Sequence, residues 1–430
     1  MLVCVSISHC YAQQDDFSKV RIIKFEEAIE LAIQNNRDLK KANTNLAIAK
    51  ENIGQAKMAQ VPHIGLNGNY SYIGNPRVYE GFYQNGKSVD YINYQALGSI
   101  VTSMPLYLGG VITNQIEKQK LISTIQESVV KMTESDIKLA IAEQLFTIEK
   151  LYKQIDVTKQ NIASTSLRIK QLKSRVENGQ NVKSDLLRTE LQQSNFEVSV
   201  FKNINTIALV SNYLDILTGL PTDTILKPEV SGILIPEQTF EINKLIDEAF
   251  VNRLEIKQSE INLKIAETDL QITKGGYKPN LGANLIMNTQ YPLQWPTYIN
   301  TVNFWAAGLS LNWDVSSFYN LKHRVNTGKL NIEKSNIDLE ATKDQISKEV
   351  RSALVHYEES KKNTEVFKKN VQLSQTNYNI VKSKYDNEFA LIIDMVDAEI
   401  QLNESKISLI NANLDTIIQY YSLQYAMGKL

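Results

Sequence analysis

The sequence predicts a mainly α-helical chain with a smaller β portion, built from two tandem copies of one unit. Three observations carry this. The sequence repeats itself over most of its 430 residues. Each copy holds a very long amphipathic segment without proline. Each copy also holds two stretches in which apolar and polar residues alternate.

The repeat comes first because it organises the rest. A shift of 217 residues matches Ile29 with Ile246, Ala32 with Ala249, Asn35 with Asn252, Lys40 with Lys257, Pro62 with Pro279 and Gly65 with Gly282. Further on the shift is 209, matching Asn178 with Asn387, Asp185 with Asp394, Glu190 with Glu399 and Gly219 with Gly428. The change falls between residues 74 and 95, where a loop longer by eight residues is expected in the first copy. Copies of this length are far too long for solenoid repeats. The predicted organisation is a first repeat over 22–220, a linker over 221–240 and a second repeat over 241–428.

Each copy opens with a helical segment, near 24–58 and 241–275. Two alternating stretches follow, then a long helical segment near 110–177 and 319–386, then a last helix near 185–218 and 394–427. In the first long segment Ile112, Ile116, Leu121, Ile125, Val129 and Met132 recur at spacings close to three and four. That is the period of an amphipathic, coiled-coil-like helix. Such a segment runs about 100 Å at ~1.5 Å per residue, too long for one globular core, so it must lie against other rods. "LTGLP", ending at Pro221, is a helix stop.

The alternating stretches read as strands. "IGLNGNYSYI" places Ile64, Leu66, Tyr70 and Tyr72 on one face and Asn67, Asn69 and Ser71 on the other. "LGANLIMN" sets Leu281, Ala283, Leu285 and Met287 against Gly282, Asn284 and Asn288. "NFWAAGLSLNWD" sets Trp305, Ala307, Leu309, Leu311 and Trp313 against Asn303, Ser310 and Asn312. "QALGSIVTSM" is ambiguous alone; the repeat assigns Ile100, with Ala96, Gly98, Thr102 and Met104, to the apolar face. No stretch is long and apolar enough for a transmembrane helix, so any membrane span must be a β-barrel. Ten to twelve residues suit a barrel strand, and Tyr70, Tyr72, Tyr291, Trp305 and Trp313 suit interfacial girdles. A soluble β-sandwich edge shows the same alternation, and four strands close no useful barrel alone.

The start, "MLVCVSISHCYAQQDD", reads as a signal peptide over 1–12 or as a frayed terminus. Cys4 and Cys10 are the only cysteines, so a chain cut after Ala12 has no disulfide framework. The "ISH" before Cys10 is not the small-residue pattern of a lipidation site. A net charge of −1 gives no bulk attraction to nucleic acid.

Two stretches imitate a nucleotide site. "GFYQNGKS" (81–88) has the letters of a P-loop, and "LIID" (391–394) those of its aspartate partner. A P-loop must open a helix. Here alternating residues follow, and Asn85-Gly86 is a favoured hairpin turn, so a loop tip between strands is predicted. Asp394 opens a helix instead of ending a strand. The four histidines are scattered, giving no metal cluster. No residue constellation supports an enzyme or a cofactor.

Taken together, the repeats, strands and hairpins resemble the TolC-like outer membrane efflux proteins over about residues 22–428. "MPLYLGG" (104–110) looks like the family's entry from strand to long helix; "WDVSSFYN" in the second copy has lost it. "RVENGQNVKSDLLRTE" (175–190), with Arg175, Gly179 and Asp185, resembles the family's tip turn, and "KYDNEFALIIDMVDAE" (384–399) is its partner. The resemblance implies a homotrimer with twelve strands closing one barrel in outer membrane lipid. It also implies a helical tunnel through the periplasm, a periplasmic adaptor, and an inner-membrane pump or ABC exporter. The barrel's lipid face would be Leu66, Tyr70, Tyr72, Ile100, Leu285, Trp305, Leu309, Leu311 and Trp313.

Asp394 and Asp397 match the family's paired gate aspartates, and a threefold ring of them should favour cations. The alternative for both is an ordinary helix N-cap region. Ser184, Asp185 and Tyr385 occupy the family's latch positions, but Ala390 stands where its arginine does. The competing reading of the whole chain is a periplasmic or surface coiled-coil tether without a pore.

Overall fold

The computed structural model describes residues 20–90, 92–222, 224–229, 240–295 and 298–430. The expected signal peptide, Cys4, Cys10 and Tyr91 lie outside them. The helices are α1 (Phe25–Asn35), α2 (Arg37–Met58), α3 (Val111–Glu177), α4 (Lys183–Thr218), α5 (Ile242–Asn252), α6 (Leu254–Gly275), α7 (Ser317–Asn320), α8 (Lys322–Asp386) and α9 (Ile392–Ala426). The strands are β1 (Val20–Lys24), β2 (His63–Tyr72), β3 (Arg77–Glu80), β4 (Gln84–Ser88), β5 (Tyr94–Leu108), β6 (Ile225–Glu229), β7 (Asn280–Trp295) and β8 (Tyr298–Asn312). Two compact units form. Each repeat contributes to both units, because helices of the two copies pack side by side.

One unit holds residues up to 43, 129–256 and 342–430. It is helical, with a small parallel pair of β1 and β6. This pair corrects the sequence reading, which placed only a linker at 221–240. Five-residue strands, one containing Pro228, are too short to show a period. They are fixed by burial of Ile23 and Leu226 and by the Leu226 N–H donating to Ser211 Oγ at 3.1 Å.

The opening helix of each copy is also broken, where one helix was expected. Asn36 interrupts the first, and its Oδ1 accepts from the N–H groups of Asp38 and Leu39 at 2.8 and 3.1 Å. Its Nδ2 donates to Leu217 O at 3.4 Å. Arg253 interrupts the second and donates to Ala426 O at 3.2 Å. At each break a side chain satisfies carbonyls that the end of the last helix leaves unpaired. Gly219 and Gly428 end those last helices with φ of 74° and 70°. A Cβ at Gly219 would lie 2.5 Å from that of Asn35, and one at Gly428 would lie 3.0 Å from the backbone of Asn252. The repeated Asn–Gly matches in the sequence are this joint, made twice.

The other unit holds residues 44–128 and 257–341. Its sheet runs β2-β5-β7-β8, antiparallel throughout. β2 and β8 are the edges, each paired on one side only among the described residues. Leu66, Ile100, Met287 and Trp305 lie directly opposite one another across all four strands. The next matching row is Ile64, Thr102, Leu285 and Ala307. The face that the repeat assigned to the ambiguous strand is therefore the face the register gives, but Asn303, expected on the opposite face, pairs with Thr289 and lies on this one, as its two-residue spacing from Trp305 requires. Over the described side chains of the sheet, this face carries no charge.

Several strand details differ from expectation. β5, β7 and β8 have 15, 16 and 15 residues, so Trp305 sits mid-strand instead of near an end. Trp313 lies just past β8, where its Nε1 donates to Tyr277 O at 3.0 Å and its ring meets Phe318 edge-on. Asn85-Gly86 lies within β4, not at the turn. Gly81, Phe82 and Tyr83 make the turn, and Tyr79 packs on Gly86, where any Cβ would strike its ring.

The two strand-to-helix entries differ as their sequences do. Gly109 and Gly110 take φ of 63° and 88° between β5 and α3, and a Cβ on Gly109 would collide with the carbonyl of Gly275. The second copy lacks these glycines and inserts α7. There Asp314 Oδ1 accepts from the backbone N–H and the hydroxyl of Ser316.

Candidate functional site

The tips of the two long hairpins, α3–α4 and α8–α9, lie in the helical unit. Each turn ends its long helix with a left-handed residue that lets two N–H groups reach back to helix carbonyls. At the first tip this residue is Gly179, φ 69°, with Gln180 N–H donating to Arg175 O at 2.8 Å. At the second it is Glu388, φ 67°, with Phe389 N–H donating to Lys384 O at 2.8 Å. The same turn is thus built once with glycine and once against the steric preference of a β-carbon.

Asp185 and Asp394 stand at equivalent places in the first turns of α4 and α9. Asp394 Oδ2 accepts from Leu391 N–H at 3.1 Å. Carboxylates there satisfy free N–H groups and oppose the positive end of the helix dipole. Asp394 and Asp397 are both exposed, while Asp185 is half-buried and takes a long contact from Asn181 Nδ2 at 3.4 Å. Ser184 and Gly179 are exposed.

Behind the turns, residues of all four helices share one small core. Leu172, Leu186, Ile392 and Val396 are buried, and Val176, Tyr385 and Ile400 pack against them. Tyr385 thereby brings the second tip onto the first. Burial holds its hydroxyl above the usual phenol range; Arg175 and Arg168 pull it down, and Asp185 and Asp386 push it further up. The structure therefore groups Arg175, Asp185 and Tyr385, and leaves Ser184, Asp394 and Asp397 facing outward. Ala390, at the arginine position of the resemblance, is half-buried.

Arg168 and Glu399 are the tip residues that sequence reasoning missed. Arg168 Nη1 and Nη2 donate to the two carboxylate oxygens of Glu399 at 2.6 and 3.3 Å. Their side chains are only 9% and 3% exposed. The pair joins α3 to α9, hairpin to hairpin. It tops a polar seam between these helices in which Lys150 meets Asp415, Gln154 meets Asn411 and Asn161 meets Asn403. Partner numbers fall along α9 as they rise along α3, as an antiparallel pair requires. The available signal was Glu399 itself, a repeat match set among apolar helix positions.

Other apolar residues of the same hairpins stay uncovered. On α4, Leu187, Leu191, Val198 and Phe201 are exposed; on α8, Val366, Leu373 and Ile380 follow at spacings of seven. A stripe at this spacing is the seam of a helix that packs on another. "GFYQNGKS", by contrast, is the β3–β4 hairpin with Lys87 paired opposite Val78, and no helix begins there.

Comparison with known proteins agrees with this architecture. The chain matches the outer membrane efflux protein family over residues 28–201 and 245–429.

It belongs to that family.

This outer membrane efflux protein is 21% identical over 409 residues to the outer membrane protein TolC of Salmonella enteritidis, covering 92% of this chain and 80% of the relative. Its fold matches a solved membrane protein from Pseudomonas aeruginosa with a TM-score of 0.80 at 13% identity, over 94% of this chain and 90% of the other. It matches the CmeC outer membrane channel of Campylobacter jejuni with a TM-score of 0.78 at 15% identity, over 94% and 85%. The family is one of ducts and not of enzymes, and its place is the outer membrane.

Proposed function

We propose that this outer membrane efflux protein is the passive exit duct of a tripartite efflux or type I secretion system. It would work as a homotrimer gated at its periplasmic tips. One observation carries the reading: a four-stranded antiparallel sheet with an uncharged face and two unpaired edges. Unpaired N–H and C=O groups are too costly to leave in hydrocarbon. Three copies joined edge to edge would pair them in a barrel of twelve strands. The exposed stripes of α4 and α8 support the same assembly, since a neighbouring copy would cover each.

The tips would form the periplasmic mouth. Asp394 and Asp397 would line it, with three copies of each drawing cations into a narrow opening. The Arg168–Glu399 pair and the core under Tyr385 would hold the two hairpins of one protomer together. Between protomers the contacts would be mainly apolar. A periplasmic adaptor would meet the tips near 175–188 and 384–397. The energy for transport would come from the inner-membrane pump or ABC exporter.

The test is conductance of the purified protein in a planar lipid bilayer. The expected result is a discrete pore from a species three times the chain mass. A protein that stays monomeric, or that shows no pore, overturns the proposal and leaves the tether.

A further inference from the structure

The uncharged face of the sheet is not uniform. Between its rows lies an apolar groove of about 470 Å³. Leu66, Ile100, Met287 and Trp305 wall it on the helix-proximal side, and Gly98, Thr289 and the amide-bearing Asn303 form its floor. Gly98 leaves no room for anything larger, because its Cβ would lie 2.8 Å from the Thr289 methyl. Its neighbour on β2, Gly68, faces open space.

A second feature adjoins the groove, toward the loop end of the strands. Tyr70 lies opposite Ala96, which lies opposite Tyr291, and Tyr72 lies opposite Tyr94. Tyr70 and Tyr94 stack at 6.4 Å, and Tyr72 meets Tyr94 edge-on at 5.6 Å. Four phenols thus stand together above an apolar slot, on a face without charge. Tyrosine has an apolar body and a polar tip, the arrangement suited to a membrane interface.

We propose that this slot is a lipid site: one acyl chain lies over Gly98, and an uncharged, sugar-bearing head meets the tyrosines. The occupant follows from the chemistry. The groove lies on the face that the proposed duct would turn toward the outer membrane, so its occupant is a lipid. An anionic phosphate head would call for arginine or lysine, which this face lacks. Sugar hydroxyls pair with phenols, and sugar rings stack on aromatic faces.

The inference rests on this face meeting lipid, not on the pore. The test offers the detergent-purified full chain glucosyl-diacylglycerol and phosphatidylglycerol with matched acyl chains, and counts bound lipid by native mass spectrometry. Wild type is expected to favour the glucosyl lipid about tenfold. Gly68→Leu adds a side chain beside Gly98, where a Cβ meets nothing within 4 Å, and should lower retention of both lipids about tenfold. Tyr70→Phe with Tyr291→Phe should lower only the glucosyl lipid. Equal retention by wild type and Gly68→Leu, or a preference for phosphatidylglycerol, overturns the proposal. Bilayer conductance of Gly68→Leu should match wild type. A missing pore with selective lipid retention would end the duct reading and leave the lipid site standing.

Discussion

Glu388 shows how one residue can carry a backbone cost. It holds the left-handed conformation that Gly179 holds in the other copy. A β-carbon there costs about 1–2 kcal/mol, partly offset by the greater freedom glycine loses on folding. Glu388→Gly should therefore stabilise the protein by roughly 0.5–1 kcal/mol in denaturant unfolding, whereas Gly179→Ala should destabilise it by about 1 kcal/mol. Arg168 and Glu399 differ in kind. Arg168→Ala strands a buried carboxylate and should cost about 3–5 kcal/mol, while the double change Arg168→Met with Glu399→Leu should be near neutral. A large loss in that double variant would mean the pair contributes more than its own neutralisation. Tyr385 adds a pH dependence. Its hydroxyl is held above the ordinary range by burial, so the folded state keeps the proton longer than the unfolded chain does. Stability should be complete below about pH 10 and fall as pH rises beyond it, and Tyr385→Phe should flatten that fall.

At the scale of elements, most of the fold was legible. The long helices α3, α4, α8 and α9 have apolar periods and clear stops, and their ends fall within a few residues of the sequence reading. β5 could be placed only through the repeat, because alternating faces are visible in one copy and blurred in the other. What escaped was set by contacts remote in sequence. The breaks at Asn36 and Arg253 answer to carbonyls at the ends of α4 and α9, and β1 exists because β6 lies beside it. The candidate site divided the same way. Asp185, Asp394 and Tyr385 sit at recognisable turn positions, but the Arg168–Glu399 partnership joins residues 231 apart in the chain, beyond any local pattern. The seam has a functional consequence at this scale. If both hairpins of a protomer move as one body, a short cross-link between cysteines placed at Asn161 and Asn403 leaves conductance unchanged. Loss of opening in that cross-linked protein would show that the hairpins must part.

For the whole molecule, the acidic mouth proposed for Asp394 and Asp397 makes the distinguishing prediction. Asp394→Asn with Asp397→Asn should weaken cation selectivity, read as a shift of reversal potential in a salt gradient across the bilayer. Asparagine keeps the capping oxygen near Leu391, so the helix start should survive. Unchanged selectivity would remove the gate role from these residues and leave the duct. The unpaired edges of β2 and β8 carry a further consequence, for biogenesis. A lone copy has no way to satisfy them inside a membrane, so entering the bilayer and finding partners become one event. The amount of inserted protein should then climb more steeply than in proportion to expression, and stability should depend on how many copies are present. A copy lacking β8 would stop a closing ring with a strand that nothing can follow, and so would poison its intact neighbours.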